Sequence, residues 1–113
     1  MKKMMLLTAL LGSAFVAQAA PVKNADAAYK MVVASVKKNK LTTLAADCVA
    51  YRVSKEGRNF AIVAYEVHNK KCGGDPNVSH RLFTYKVERD TGRMTTDAPR
   101  QGIEWDGDYH PIR

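Results

Sequence analysis

The sequence predicts an α+β domain in which one N-terminal helix packs on an antiparallel β-meander of about four strands. Three observations predict it. Residues 24–40 carry apolar side chains at spacings of three and four, and beyond them the apolar period changes to two. Short turn signals, Glu56-Gly57-Arg58 and Asp90-Thr91-Gly92, separate the alternating stretches. Strands joined by such tight turns pair with their sequence neighbours, and a helix that shares their apolar face completes a two-layer domain.

The elements follow in chain order. "MKKMMLLTALLGSAFVAQAA" opens with Lys2 and Lys3, continues with a mostly apolar run from Met4 to Val16, and closes in Ala17-Gln18-Ala19. A basic start, a short apolar core and an A-x-A site describe a cleavable secretory leader, because the run is too short for a membrane span and no stop-transfer pattern follows. Cleavage is expected after Ala19, dividing the chain into a signal peptide, 1–19, and a single small domain, 20–113, of 94 residues. No cysteine lies near that site, so no lipid anchor is expected. The domain is expected in the periplasm or outside the cell, and not membrane-spanning after cleavage.

Export limits the partners. The whole chain carries a formal charge of +7. The leader holds two of the 18 basic residues and none of the 11 acidic ones, so the remainder has 16 basic against 11 acidic groups, a net +5. Positive charge favours anionic partners such as acidic proteins or wall polymers, and it also promotes solubility. A basic inhibitor of a typically basic lysozyme would need a local acidic patch. Nucleic acid is not expected, since exported proteins rarely meet it and the aromatics fall in strand positions rather than among basic clusters.

In "NADAAYKMVVASVKKNK", Ala25, Ala28, Tyr29, Val32 and Val36 form one stripe. Asn24 is the expected N-cap, Asp26 suits the first turn, and Lys37, Lys38 and Lys40 complement the carbonyl end. The macrodipole already accounts for those lysines, an anionic docking site being the alternative reading. "DCVAYRVSK" (47–55) then alternates Val49, Tyr51 and Val53 against polar or small neighbours. "NFAIVAYEVHN" (59–69) is apolar on both faces and predicts a central strand covered on both sides over its first half. "RLFTYKVER" (81–89) has one apolar face, Phe83, Tyr85 and Val87, and a short fourth strand is expected at residues 93–96.

The stretch "FTYKVERDTGRM" (83–94) resembles the end of a PepSY-type module, in which a strand closes in an Asp-Thr-Gly-like turn before a last short strand. The helix ahead of the sheet is similar to that pattern and to the wider cystatin-like arrangement. The cysteine-bearing segment 69–80 departs from it as a long insertion. The resemblance implies a non-enzymatic exported module that binds or restrains another protein, often a hydrolase.

That insertion, within "HNKKCGGDPNVSHRL" (68–82), is the candidate site. Cys48 and Cys72 are the only cysteines, and an even count in an exported chain predicts one disulfide. If residues 55 and 60 face each other, Cys48 lies opposite about residue 67, a few positions before Cys72. Gly73 and Gly74 allow the backbone to fold back there. His68, Cys72, His80 and Asp75 hold the donor atoms of a metal site, yet H-x3-C and C-x7-H match no zinc pattern and a disulfide removes the sulfur. No metal and no cofactor is therefore expected, a two-histidine site at His68 and His80 being the alternative. Glu66 shares a strand face with His68, read as a solvated pair. No nucleophile and base can be named together, and no G-x-S-x-G, P-loop or HExxH stretch occurs, so no enzyme activity is expected. What remains is a tethered loop, Lys70, Lys71, Gly73, Gly74, Asp75, Asn77 and Ser79, of a length that tends to carry function.

The last segment, "DAPRQGIEWDGDYHPIR" (97–113), alternates acidic and aromatic residues. Asp106 and Asp108 offer too few oxygens for a loop calcium site. Trp105 is expected to pack on the sheet; if exposed, it becomes a binding anchor. The leading functional expectation is a non-enzymatic periplasmic binding module, an inhibitor, immunity or accessory protein contacting another envelope protein through the loop. The alternatives are an anionic envelope-surface or cell-wall binding protein using the helix-end lysines, and a metal-binding protein through His68 and His80.

Overall fold

The computed structural model describes residues 20–100, 102 and 104–113. The leader assigned to residues 1–19 lies outside the described residues. Helix α1 (Ala25–Asn39) leads through a short 3-10 turn (Ala46–Cys48) into β1 (Val49–Glu56), β2 (Asn59–Glu66), β3 (Arg81–Val87), β4 (Met94–Thr96) and β5 (His110–Ile112). The strands form one sheet in the order β1-β2-β3-β4-β5, antiparallel at every junction. The expected helix on an antiparallel meander is thus present, with five strands where about four were expected. β5 is the addition. Its His-Pro-Ile is too short to display a period, and its pairing of Met94 with Ile112 is a long-range choice. Among the described residues no helix is long and apolar enough to cross a membrane.

α1 starts and stops by local chemistry. The Asn24 side-chain oxygen accepts the Ala27 N–H at 2.9 Å, relieving one of the donors left free at a helix start. Lys40 closes the helix at φ 52, ψ 49, a left-handed conformation from which its N–H reaches the carbonyls of Val36 and Lys37. The buried line is Ala28, Val32, Ser35 and Val36. Ala25 stays exposed, and Tyr29 lies at the margin with its ring edge against Tyr51. The stripe is therefore rotated from the one read in sequence. The reason is Ser35, whose polar side chain hides its place in the buried face.

The core lies between α1 and the inner face of the sheet. Val49, Phe60, Ile62, Ala64, Phe83, Tyr85 and Val87 are buried there, with Tyr51 and Val53 packed at the side. Pairing aligns them in rows: Val53 faces Ile62, which faces Tyr85, and Tyr51 faces Ala64, which faces Phe83. The second face of β2 carries no further layer among the described elements. Ala61 is nonetheless buried and Val63 and Tyr65 half-buried. The side chains of neighbouring strands cover them: the Arg52 guanidinium stands 5.2 Å above the Tyr65 ring. The second face of β2 is thus covered only in part, by side chains such as Arg52 rather than by a second layer.

A buried polar chain joins the two layers. The Ser35 hydroxyl donates to the Arg113 carbonyl at 3.0 Å, and having one proton it must accept from the Tyr85 hydroxyl at 2.9 Å. Asn39 donates to both the Ser35 and Arg113 carbonyls. Burial pushes the Tyr85 phenol up to about 12, with the Ser35 hydrogen bond acting in the opposite direction. An unfolded chain's tyrosine ionises near pH 10 (about 10). The folded state therefore holds this proton more tightly, and the associated stability is complete below about pH 10 and lost as pH rises through about 12. Alkaline unfolding followed by circular dichroism is expected to steepen in that window, and Tyr85→Phe to flatten it. An unchanged profile in the variant would show that other groups govern alkaline unfolding.

Candidate functional site

The site grows from the irregular end of the β2–β3 pair. Ala64 faces Phe83, but Tyr65 faces Arg81, so one residue is gained on β3 and the register shifts. Beyond that bulge the Glu66 N–H still donates to the His80 carbonyl at 2.9 Å, which brings residues 66 and 80 together at the base of the loop. On the other side, the Val67 N–H donates to the Cys48 carbonyl at 2.9 Å. The expected placement of Cys48 opposite residue 67 is therefore realised.

From that base the loop is held at several points. Cys48 and Cys72 form a disulfide with their Cα atoms 5.6 Å apart. The Asn69 side chain accepts the Cys72 N–H at 2.8 Å, and its carbonyl accepts the Gly73 N–H at 2.7 Å. Lys71 forms an ion pair with Asp47, beside the disulfide, and that ammonium's hydrogen bond holds the Asp47 carboxyl below the usual carboxylate range. Asp75 accepts the Asn77 N–H on its side chain at 3.0 Å and the Val78 N–H on its carbonyl at 3.0 Å. Gly74 sits at φ +79, and a Cβ there would lie 2.7 Å from the His68 ring. Only glycine meets both demands at once.

The ordered loop overhangs the open face of β1 and β2. Pro76, Val78 and Ser79 on one side, and Ala50, Arg52 and Tyr65 on the other, bound a cleft of about 240 Å³. Lys70, Lys71, Asp75 and Val78 are all exposed, but Lys71 is paired with Asp47 outside the loop and Asp75 accepts from Asn77 within it. Periodicity could not identify Arg52 and Tyr65 as partners of the loop, because they join it only through strand pairing.

The two histidines do meet. Their rings pack edge to face with centroids 5.4 Å apart. The His68 Nε2 lies 3.4 Å from one Glu66 carboxylate oxygen, and the His80 Nδ1 lies 3.8 Å from the other. His68 is nearly enclosed, its side chain 8% exposed, and its Nδ1 sits 3.0 Å from the Asp75 carbonyl. Glu66, read in sequence as a solvated neighbour of His68 alone, joins both imidazoles. Its proximity to His80 depends on the β2–β3 pairing. No free thiol is present, so cysteine nucleophilic chemistry has no nucleophile here.

A second cluster lies at β4 and β5. Asp97 is buried; its carboxylate accepts the Thr84 N–H at 2.8 Å and an Arg81 N–H at 3.1 Å, and its carbonyl accepts the Trp105 indole N–H at 3.0 Å. Trp105 does not pack onto the sheet as expected: it is 61% exposed, its N–H bonded at the rim. The indole donor finds its acceptor, the Asp97 carbonyl, at the rim of the sheet instead. The Lys86 ammonium stands 4.6 Å from the Tyr109 ring centroid. Asp106 accepts from His110 and from the Asp108 N–H, which hold its carboxyl below the usual range. Its oxygens are thereby engaged within the chain.

The fold and this site define a small α+β domain with a disulfide-anchored loop. No family model, curated protein or solved structure matches the chain. The likeness to PepSY-type modules accordingly rests on the 83–94 stretch and the order of elements.

Proposed function

We propose that this chain is an exported, non-enzymatic binding module that contacts another protein of the cell envelope through loop 69–80 and the cleft beneath it. The leader read in residues 1–19 would carry it to the periplasm or beyond, and removal of that leader would leave 20–113 as the working domain. The observation that carries the reading is the tethering of the loop. The disulfide, the Asn69 and Asp75 hydrogen bonds and the Lys71–Asp47 pair hold a segment without regular secondary structure in one conformation. An ordered recognition loop loses less conformational entropy on docking than a free one. Its exposed Lys70 and Val78, beside Arg52 and Tyr65, combine apolar contact with positive charge and suit a partner surface of acidic and aromatic character.

The test replaces residues whose side chains the loop itself does not use. Lys70→Glu with Val78→Asp is expected to leave thermal stability within about 0.5 kcal/mol while abolishing capture of the protein that the unaltered chain retains from envelope extracts. Retention of the same protein by the folded double variant would remove the loop from the contact surface.

A further inference from the structure

Three donors converge at the base of the loop, and their protons decide what the cluster is for. The Asp75 carbonyl can only accept, so the His68 Nδ1 beside it must carry the proton. In the neutral ring the His68 Nε2 then carries a lone pair, and it lies 3.4 Å from a Glu66 carboxylate oxygen. Two electron-rich atoms in that relation repel unless a cation lies between them. A proton on Nε2 satisfies one pair. It does not account for the His80 Nδ1 approaching the other Glu66 oxygen at 3.8 Å, or for one donor atom from each of the three residues lying within 4.8 Å of the other two.

We propose that Glu66, His68 and His80 form a binding site for a late first-row divalent metal ion, with zinc as the natural occupant. Metal bonds of about 2.0–2.2 Å in a tetrahedral site set ligand atoms about 3.3 Å apart. The present spacings, up to 4.8 Å, reach that value when side chains at the loop base close by up to about 1.5 Å. Two imidazoles and one carboxylate suit zinc, copper and nickel rather than calcium or magnesium, which prefer all-oxygen shells. The Asp75 carbonyl supplies the outer hydrogen bond that characteristically orients a ligating histidine. Gly74, against the ring face, and the Cys72 anchor hold that carbonyl in place. Three protein ligands leave a coordination position for water or for a donor atom from a bound partner. Glu66 and His68 also line the 240 Å³ cleft, so the site adjoins the space where such a donor would arrive.

The proposal stands independently of the loop-contact reading, because metal titration requires no partner. The full chain as exported, with its disulfide intact and stripped by a chelator, would be titrated calorimetrically with zinc chloride at neutral pH and again with copper and nickel salts. One equivalent of zinc is expected to bind with micromolar affinity or tighter. Glu66→Gln and His80→Gln alter partly exposed side chains, and each is expected to weaken binding by about tenfold or more. His110→Gln, at the separate Asp106 pair, is expected to bind as the unaltered chain does. Zinc should also raise the melting temperature of the unaltered chain and not that of Glu66→Gln. Absence of saturable binding would mean that a proton alone satisfies Glu66 and would overturn the proposal. Binding that survives both Glu66→Gln and His80→Gln would overturn it equally.

Discussion

Replacing Cys48 and Cys72 together by alanine is expected to lower the unfolding free energy by about 3 to 4 kcal/mol. The bond joins residues 24 apart in sequence, and closing a loop of that length removes most of this amount from the unfolded chain's conformational entropy. For a domain of this size the corresponding fall in melting temperature is on the order of 15–25 °C. Such a loss is a large part of the stability available to so small a core, because net stability per domain is typically about 5–15 kcal/mol. Alanine is the appropriate replacement at Cys48, which is buried, since a serine hydroxyl there would add a desolvation penalty of its own. Urea denaturation read by circular dichroism measures the effect. The amide protons of Gly73 and Val78 should also lose exchange protection, since their hydrogen bonds lie in the segment that Cys72 anchors. A change below about 1 kcal/mol would show that closing this loop does not restrict the unfolded chain to the extent the entropy argument requires.

Asp97→Ala is expected to cost about 3 kcal/mol, the second largest effect. Its carboxylate is the acceptor for the Thr84 N–H, which belongs to a buried residue of the central β3. Removing it leaves a buried donor without a partner and breaks the charge-assisted bond to Arg81. Arg81 itself is half exposed and can turn to water, so the orphaned amide dominates the loss. Asp97→Asn keeps one oxygen for Thr84 and is expected to cost only about 1 kcal/mol. The indole N–H of Trp105, the single tryptophan, bonds to the Asp97 backbone carbonyl and not to the side chain. Native-state emission should therefore stay unchanged in both variants, while the denaturation midpoint falls far in the alanine variant and only slightly in the asparagine one. Equal losses for alanine and asparagine would mean that charge, rather than the acceptor at Thr84, is what Asp97 contributes.

The contrast between these residues shows what patterns along the chain convey. Cys48 and Cys72 were legible because a lone pair of cysteines in a chain read as exported has one natural outcome, and the Gly57 turn already implied which strand positions oppose each other. Phe60, Ile62, Phe83, Tyr85 and Val87 were legible because a half-buried strand repeats every two residues. Asp97 was not legible. A lone aspartate after a short strand looks like any polar turn, and its value comes from an amide that only the β3–β4 pairing brings to it. Ser35 was hidden for the same reason, its partner lying fifty residues away. β5 escaped because three residues contain no period, and Trp105 because exposure depends on where one indole proton finds an acceptor.

Local periodicity, capping residues and cysteine count by themselves determined the helix, the meander and the expectation of a disulfide, since each is set by interactions among near neighbours or by compartment chemistry. Tertiary structure alone decided that Glu66 joins His68 to His80, that Arg52 and Tyr65 face Pro76 and Val78 across a cleft, that Lys71 pairs with Asp47 and that Asp75 is occupied within the loop. Those relations depend on a one-residue bulge at the start of β3 and on the path of a loop without a repeat. A shift of one position there turns every side chain to the opposite face, and pattern along the chain carries no record of it.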